Sequence, residues 1–365
     1  MKPRIALIGP VLPFRGGIAQ HTTMLHRSLA KKADLLTISF TRQYPAWLFP
    51  GESDKDPAYE NYREPGVQYL IDSLNPLSWE DAIDTVRTFA PSAIVFPWWT
   101  VFWTFCFHHI ASAVKRPGTR VVFLCHNAVE HESALWKRHL TSWVFKTANQ
   151  FVVHTQSEKA NIRNLIPEAQ VRVYPHPIYD QYPSPSSLGT LPRRAELELL
   201  FFGFVRRYKG IDVLLDALAL IRDESVKLTI AGEFWEGERK TREKITFMGL
   251  REIVEILPRY QTERETAELF GRADVVVLPY RSATGTGVVP LAYHYNKPVV
   301  VTRVGGLPDV VDENLTGFVV PPEAPHELAC ALRRCLHFRP QAEHFTAVRK
   351  RMSWQGLATT LIIDS

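Results

Sequence analysis

Short, continuously apolar segments rich in β-branched residues recur along the chain, and helix-length amphipathic segments separate them. Such segments are typical of strands buried on both faces, as in parallel sheets covered by helices. In the first half we predict strands near Arg4–Ile8, Leu35–Ser39, Val67–Ile71, Ala93–Phe96, Val121–Cys125, Phe151–His154 and Val171–Tyr174. In the second half we predict them near Leu197–Phe202, Lys227–Ala231, Val254–Leu257, Val275–Leu278, Val299–Thr302 and Phe318–Val320. This alternation predicts doubly wound α/β domains.

A stretch rich in proline, serine and glycine lies near the middle of the chain, between Pro175 and Pro192. Proline fixes φ and removes a backbone donor, so we interpret this stretch as a stiff linker. At roughly 100–200 residues per domain, a chain of 365 residues is long enough for two. We therefore assign 1–180 to an N-terminal and 193–340 to a C-terminal Rossmann-like domain.

Composition excludes several classes of protein. No run of 18 apolar residues is present, so no segment must span a bilayer. Lys2 and Arg4 lead into a short strand rather than a secretory leader, so we expect a cytoplasmic location. The net charge of +5 is too small for a dedicated nucleic-acid binder, and it is compatible with phosphate ligands or an anionic membrane surface.

The segment Trp98–Phe107 is unusually aromatic and has two interpretations. Tryptophan favours the membrane interface, so the segment is a candidate for peripheral contact with the inner face of the cell membrane. Aromatic side chains also dominate ordinary protein cores, and we favour a core helix that follows a strand.

Three loops after strands have the composition of a phosphate site. Gly16 and Gly17 open a helix, where paired glycines allow a ligand close to free backbone N–H groups. Arg206 and Lys209 follow the first strand of the second domain, where a diphosphate would be clamped by a planar fork and a mobile point charge. A third loop combines hydroxyls with glycines near a helix start, in Thr284, Gly285, Thr286 and Gly287.

The order and spacing of several short motifs are more specific than any one of them. Besides the loops above, they are Cys125-His126-Asn127, Phe202-Gly203, Ala273-Asp274-Val275, Leu278-Pro279, Pro298-Val299-Val300, Gly305-Gly306-Leu307-Pro308 and Thr316-Gly317-Phe318. Together they resemble glycosyltransferase family 4, the large retaining family with the GT-B fold. The resemblance covers nearly the whole chain. It implies two Rossmann-like domains facing an interdomain cleft, and a C-terminal helical segment, 341–365, that crosses back to the first domain.

The resemblance also implies a role for matching positions. Arg206 and Lys209 would neutralise the diphosphate leaving group, and His126 would sit beside the transferred sugar. Arg259 and Tyr260 would lie near the nucleobase. The donor-binding positions it implies are Gly16, Gly17, Arg259, Tyr260, Thr284, Gly285, Thr286, Gly287 and Val288.

The activity implied by the resemblance is retaining transfer of a hexose-type sugar from a nucleoside-diphosphate sugar. The implied acceptor is a glycan or polyprenyl-linked oligosaccharide of the bacterial cell surface, bound in the N-terminal domain. We expect no cofactor and no metal, because the cationic residues would stabilise the departing diphosphate. Asp54 and Asp56 form a DxD sequence, but they do not follow an apolar strand, so we interpret them as coincidental.

The chain departs from the family pattern at one point. Two glutamates eight positions apart are usual around the glycine loop, and here their places fall on Ala283 and on Leu291 or Ala292. Either Thr284, Thr286 or backbone groups replace those contacts, which we favour, or donor binding is altered, or activity is lost. A non-catalytic nucleotide-sugar-binding subunit therefore remains an alternative.

Two further enzyme classes fit less well. A GT-B-type sugar-nucleotide epimerase would need well-placed carboxylates for proton abstraction, and the loops supply few. An NAD-dependent oxidoreductase would need a GxGxxG with a downstream acidic residue, which the sequence lacks.

Overall fold

The structure is a computed structural model that describes residues 2–45, 54–56, 59–128, 135–183 and 192–363. The chain divides into two compact units. The first comprises Met1–Pro175 with Ser353–Ser365, and the second comprises His176–Met352. Part of the linker predicted between Pro175 and Pro192, residues 184–191, lies outside the described residues.

The first unit alternates strands and helices. Its elements up to the end of the first sheet are β1 (Arg4–Ile8), α1 (Gly17–Lys32), β2 (Asp34–Arg42), β3 (Val67–Asp72), α2 (Leu77–Phe89), β4 (Ala93–Trp98), α3 (Thr104–Val114), β5 (Arg120–Cys125), α4 (Leu135–Phe145), β6 (Gln150–Val153), α5 (Gln156–Leu165) and β7 (Val171–Val173). The strands form one parallel sheet in the order β3-β2-β1-β4-β5-β6-β7. The strand order reverses between β1 and β4, so a ligand is expected at the carboxyl ends of those two strands.

The second unit repeats this plan. Its elements are β8 (Leu197–Phe202), α6 (Ile211–Ala219), β9 (Val226–Ala231), α7 (Glu238–Phe247), β10 (Val254–Leu257), α8 (Glu263–Arg272), β11 (Val275–Leu278), α9 (Val288–His294), β12 (Val299–Thr302), β13 (Gly317–Val320), α10 (Pro325–Cys335) and α11 (Ala342–Arg351). The parallel sheet has the order β10-β9-β8-β11-β12-β13, with its reversal between β8 and β11.

The C-terminal segment 341–365 contains two helices that belong to different units. Helix α11 packs on α9 in the second unit. The last helix, α12 (Trp354–Ile362), packs on α1 in the first unit, and its N-terminus is capped by the Ser353 side chain. The chain therefore returns to the first unit at Ser353.

All thirteen predicted strands are present, with ends that differ by up to three residues. The central strands of each sheet are buried along nearly their whole length, because apolar side chains on both faces meet covering helices. Half of the aromatic side chains in this segment are core, because Trp98, Trp103 and Phe107 are at most 1% exposed. Trp99 and Phe102 are half-buried against that core, and Phe105 is 60% exposed.

No helix in the described part of the chain combines the length and the apolar character that a membrane span requires.

Candidate active site

The Gly16-Gly17 turn lies at the carboxyl end of β1, where helix α1 begins. Gly16 caps the helix at a φ of 102°, a conformation that side chains rarely adopt, and a Cβ placed there would meet no atom within 4 Å. No side chain caps the helix, and no acidic residue lies in its first turn. The first amides of α1 are thus exposed to an anion beside an open glycine.

The Asp54–Asp56 sequence lies against this turn. The amide of Arg15 donates to the Asp54 carbonyl at 2.8 Å, and the amide of Asp56 donates to the Pro13 carbonyl at 2.8 Å. Burial raises the pKa of the Asp54 carboxyl. The sequence alone did not relate this segment to the glycine turn, because the pairing joins residues some forty positions apart.

Three histidines of the first unit come together near the carboxyl ends of β5 and β6. His126 directly follows β5, and its ring meets the ring of His21 edge to face at 4.4 Å between centroids. His154 follows β6, and its ring centroid lies 5.1 Å from that of His126 and 5.2 Å from that of His21. Trp354 of α12 closes the group, 4.8 Å from His21. We refer to these four side chains as the histidine cluster.

His154 is held neutral at pH 7. Burial lowers its pKa to about 4, although a bond to the Tyr174 carbonyl opposes that shift. Nδ1 lies 3.0 Å from that carbonyl oxygen, so Nδ1 carries the proton and donates it.

The loop that carries His126 is fixed by a buried carboxylate. Glu158 is 1% exposed and accepts a hydrogen bond from the Ala128 amide at 2.6 Å. Burial raises the pKa of the Glu158 carboxyl. Hydrogen bonds from the Ala128 amide and the Asn161 side chain partly offset that rise. On the strand side, the His126 amide donates to the Trp98 carbonyl at 2.8 Å. His126 is therefore anchored from both neighbouring segments.

Lys209 is the principal cation of the second unit's sheet edge. It is 8% exposed, and a Cβ placed on Gly203 would lie 3.2 Å from its Nζ. Its ammonium lies 5.4 Å from the centroid of the Tyr280 ring, and it forms no ion pair with a described carboxylate. Burial, with a smaller effect from Arg206, lowers its pKa to about 8. A buried ammonium without a counter-charge is a strong indicator of an anion site.

Arg206 lies in the same loop, and an aromatic side chain holds it. Its guanidinium carbon is 4.1 Å from the centroid of the Trp235 indole, a cation–π contact. Trp235 packs against Phe204, and its amide donates to the Val205 carbonyl at 3.1 Å. The Arg206 guanidinium is therefore supported on one face by Trp235, while Arg206 remains exposed to solvent.

Arg281 fixes the loop that carries both cations. Its amide donates to the Tyr208 carbonyl at 2.7 Å, and its guanidinium donates to the Arg207 carbonyl at 3.0 Å. The same guanidinium forms a bidentate pair with Asp212 at 2.7 and 2.8 Å, which lowers the pKa of that carboxyl. The sequence motifs that suggested the site do not include Arg281 or Trp235, so neither residue was predicted.

The glycine loop 283–287 joins β11 to α9. A Cβ on Gly305 would overlap the Ala283 carbonyl oxygen, at 1.5 Å, so this loop and the 305 turn pack backbone to backbone. The Thr286 hydroxyl accepts from the Val288 amide at 3.1 Å, which engages that amide within the protein. Thr284 is half-buried and Gly285 exposed.

The predicted nucleobase residues follow β10. The Arg259 guanidinium pairs with Glu265 at 2.5 Å and is exposed. Glu265 belongs to the capping box that starts α8, and its pKa falls to about 2 chiefly because of the Arg259 bond. Tyr260 is half-buried beside it. Among the sequence-predicted residues of this unit, the structure thus brings Arg206 and Lys209 together and gives Arg259 an acidic partner.

The two doubly wound parallel-sheet units have the GT-B fold that the sequence predicted. Sucrose-phosphate synthase of Thermosynechococcus elongatus has a similar structure, with a TM-score of 0.73 and 19% identity over 99% of this chain and 97% of that chain. Anabaena HepE, solved in complex with UDP-glucose, has a TM-score of 0.66 and 18% identity over 98% and 95% of the two chains.

Sequence comparison adds detail for the second unit. Residues 196–337 match the family described as glycosyl transferases group 1. The GDP-mannose:glycolipid 4-beta-D-mannosyltransferase of Xanthomonas campestris pv. campestris is 27% identical over 208 residues, which are 56% of this chain and 56% of that protein. The chain spans about half the length of the curated relatives it matches.

Proposed function

We propose that this chain is a glycosyltransferase that takes a sugar from a nucleoside-diphosphate sugar and transfers it to a glycan or lipid-linked acceptor. The observation that carries the proposal is the buried ammonium of Lys209, which lies beside the backbone of Gly203 and pairs with no carboxylate among the described residues. The match of 196–337 to glycosyl transferases group 1 supports the same conclusion. We further propose membership of glycosyltransferase family 4, with retention of configuration.

The chemistry follows from the charge that the leaving group acquires. Breaking the bond between sugar and phosphate leaves negative charge on the diphosphate, and nearby cations lower the energy of that state. We propose that Lys209 and Arg206 supply this stabilisation in the second unit. They are fixed in advance, since Trp235 holds one and the loop tied by Arg281 carries both.

We assign the acceptor to the first unit, with His126 beside the transferred sugar. A neutral imidazole can accept a hydrogen bond from a sugar hydroxyl and donate another. The neighbouring His154 is neutral, so it adds no charge that would repel a protonated His126. Gly16 and Gly17, with the exposed amides of α1, are proposed to approach a donor phosphate.

The relatives suggest what the substrates are. One similar protein is named for GDP-mannose and a glycolipid acceptor, and one similar structure holds UDP-glucose. We therefore propose a cell-surface glycan or glycolipid pathway in the cytoplasm, with guanine or uracil as the nucleobase of the donor. No metal is needed in this scheme, because protein cations serve the diphosphate.

The test is thermal-shift titration of the full chain with GDP, UDP, ADP and their sugars, with and without magnesium. A ligand that binds the folded state raises the melting temperature. We expect one base to stand out without magnesium, and we expect Arg206→Ala and Lys209→Ala each to reduce the shift. No shift with any nucleotide would contradict the proposal, and a shift only with magnesium would contradict its metal-free form.

The resemblance to glycosyltransferase family 4 also supports a second candidate, a nucleotide-sugar-binding subunit without catalysis. It places Ala283 where a glutamate is usual, and the backbone there is fixed, since a Cβ on Gly305 would overlap the Ala283 carbonyl oxygen. Incubation with the bound donor and a panel of glycolipid acceptors separates the two candidates. Released nucleoside diphosphate together with a glycosylated product supports the enzyme, and tight donor binding without either product supports the subunit.

A further inference from the structure

Helices α3 and α4 pack side by side and expose large apolar side chains on one surface of the first unit. Leu135 is 78% exposed, Phe105 60%, Trp136 57% and Trp143 41%. We call these four residues the aromatic patch. Trp136 and Trp143 are seven positions apart, so they lie on the same face of α4.

Two rings of the patch, Phe105 and Trp143, are in contact. Phe105 meets Trp143 edge to face at 5.9 Å, and the His108 ring stacks on Trp143 at 3.6 Å with an interplanar angle of 13°. Isolated exposed apolar residues are normal, whereas a contiguous patch marks an interaction surface. Phe247 of α7 illustrates the isolated case, since it is 91% exposed and has no ring contact with a described residue.

Two adjacent cations lie beside the patch. Helices α3 and α4 contain no aspartate or glutamate, whereas α4 carries the adjacent cations Lys137 and Arg138 and is followed by Lys146. The Lys137 ammonium lies 5.8 Å from the Trp136 ring centroid. The nearby Glu80 of α2 is paired with His109 at 2.5 Å. Glu130 and Glu132 precede α4 in the sequence and lie outside the described residues.

The exposed tryptophans and the adjacent cations together indicate what kind of partner would bind the patch. Tryptophan rings favour the interface of a bilayer, and lysine and arginine beside them favour anionic lipid headgroups. A second copy of the chain, docked by a two-fold axis through the patch, would bring Lys137 and Arg138 against their own equivalents. Like charges in a desolvated interface are unfavourable, so the self-complementary arrangement is disfavoured.

We propose that the aromatic patch binds the surface of an anionic lipid bilayer, with Trp136 and Trp143 in the interface and Lys137 and Arg138 on the headgroups. The proposal rests on this surface alone and is independent of the sugar-transfer activity. It differs from the hypothesis that the sequence suggested for the segment Trp98–Phe107, because that segment is buried or half-buried except at Phe105, which alone takes part.

The experiment is flotation of the full chain with vesicles of phosphatidylcholine alone or with about one third phosphatidylglycerol. We expect recovery with the anionic vesicles only, falling as salt is raised because the headgroup attraction is screened. The double variant Trp136→Ser/Trp143→Ser should lower the partition coefficient about tenfold or more, since both rings leave the interface. Lys137→Gln/Arg138→Gln should lower it at low salt and have less effect at high salt.

Phe247→Ser is the matched control, because it removes an even more exposed ring that lies outside the patch. It should float as the wild type does. Trp136 is 57% exposed and Trp143 41%, so circular dichroism and thermal unfolding are measured first, to establish that the double variant is folded. Binding that persists in the folded double variant, or equal recovery with neutral vesicles, would overturn the proposal. So would a dimer that the double variant dissociates, since the patch would then bind a second copy.

Discussion

Lys209 is the residue at which stability and the proposed function conflict. Its ammonium is buried and has no carboxylate partner in the part of the chain that the structure describes, and burial lowers its pKa from 10.5 to about 8. Between those two pH values the unfolded chain holds the proton and the folded chain does not, so stability rises with pH there. Below pH 8 both states are charged, and the folded state then carries the full desolvation penalty.

The first prediction concerns Lys209→Met. Removing the buried charge should stabilise the ligand-free protein at pH 7 by about 3 kcal/mol, as the difference between the two pKa values implies. Chemical denaturation measures this gain. Lys240→Met, on the exposed face of α7, is the control and should change stability little. A destabilised Lys209→Met protein would show that the ammonium has a partner in the folded chain and would remove the main argument for an anion site.

The second prediction concerns His154, whose pKa is lowered from 6.5 to about 4. As pH falls between these values, the unfolded chain binds a proton that the folded chain does not, so stability decreases. The total loss is about 3 kcal/mol by the same relation. His154→Asn keeps a donor for the Tyr174 carbonyl and cannot titrate. Its unfolding free energy should fall less steeply from pH 6.5 to 4.5, and a slope equal to the wild type would contradict the assignment.

Residue identities predicted part of the site. Arg206 and Lys209 were predicted from their position after the first strand of the second domain, together with the glycine loop that follows downstream. His21, His154 and Trp354 were not assigned to the cluster with His126, because they come from α1, the end of β6 and α12. Only the three-dimensional fold brings those segments together, and a single sequence has no local signal for such distant contacts.

At the scale of elements, the turn between β8 and α6 depends on one glycine. Gly210 has a φ of 66°, and a Cβ there would lie 2.0 Å from the Pro279 carbonyl oxygen. Gly249 has a similar φ of 69°, but a Cβ there would meet no atom within 4 Å. A substitution at Gly249 therefore tests backbone strain alone, and a substitution at Gly210 tests backbone strain together with steric overlap.

The third prediction compares Gly210→Ala with Gly249→Ala. The Gly249 variant should lose about 1–2 kcal/mol, because only the left-handed conformation is strained. The Gly210 variant should lose clearly more and should also weaken nucleotide binding, since the turn that carries Lys209 must move away from Pro279. Denaturant unfolding and thermal shift with nucleotide measure both effects. Equal losses in the two variants would contradict the close backbone approach at Gly210.

Strands were the elements most accurately predicted. The predicted strands Val275–Leu278 and Val299–Thr302 match the structure residue for residue. A strand buried on both faces is apolar at nearly every position, so its ends are visible in the sequence. The loop tied by Arg281 was not foreseen. Its ion pair with Asp212 joins residues 69 positions apart, and charge in a loop is ordinarily interpreted as solvated surface.

At the scale of the whole molecule, the chain leaves the first unit at Pro175 and returns to it at Ser353. The return is a packed helix, since Leu357 and Leu361 are fully buried and α12 lies on α1. Helix α12 therefore stabilises the first unit, although the residues directly before it, His176–Met352, form the second unit. The sequence predicted two domains from the proline-rich linker, and the return segment came only from resemblance.

The fourth prediction compares two buried leucines by hydrogen exchange. Leu357→Ala, in α12, should lose about 2–5 kcal/mol locally and speed exchange in α1 and the first sheet. Leu332→Ala, in α10, is equally buried and should do the same in α6 and the second sheet. If Leu357→Ala instead speeds exchange in the second sheet, the assignment of the C-terminal helix to the first unit is wrong.

The most direct test of the donor-site proposal is the affinity for a nucleoside diphosphate as a function of pH. Calorimetric titration from pH 7 to 9.5, with the tightest-binding nucleotide of the panel, would compare the wild type with Lys209→Met. The protonated lysine binds the anion, so wild-type affinity should fall above pH 8, by up to about tenfold per pH unit. The variant should bind more weakly at pH 7 and show little dependence on pH. A wild-type affinity that is constant across this range, or a variant that follows the wild type, would contradict a diphosphate site built on Lys209.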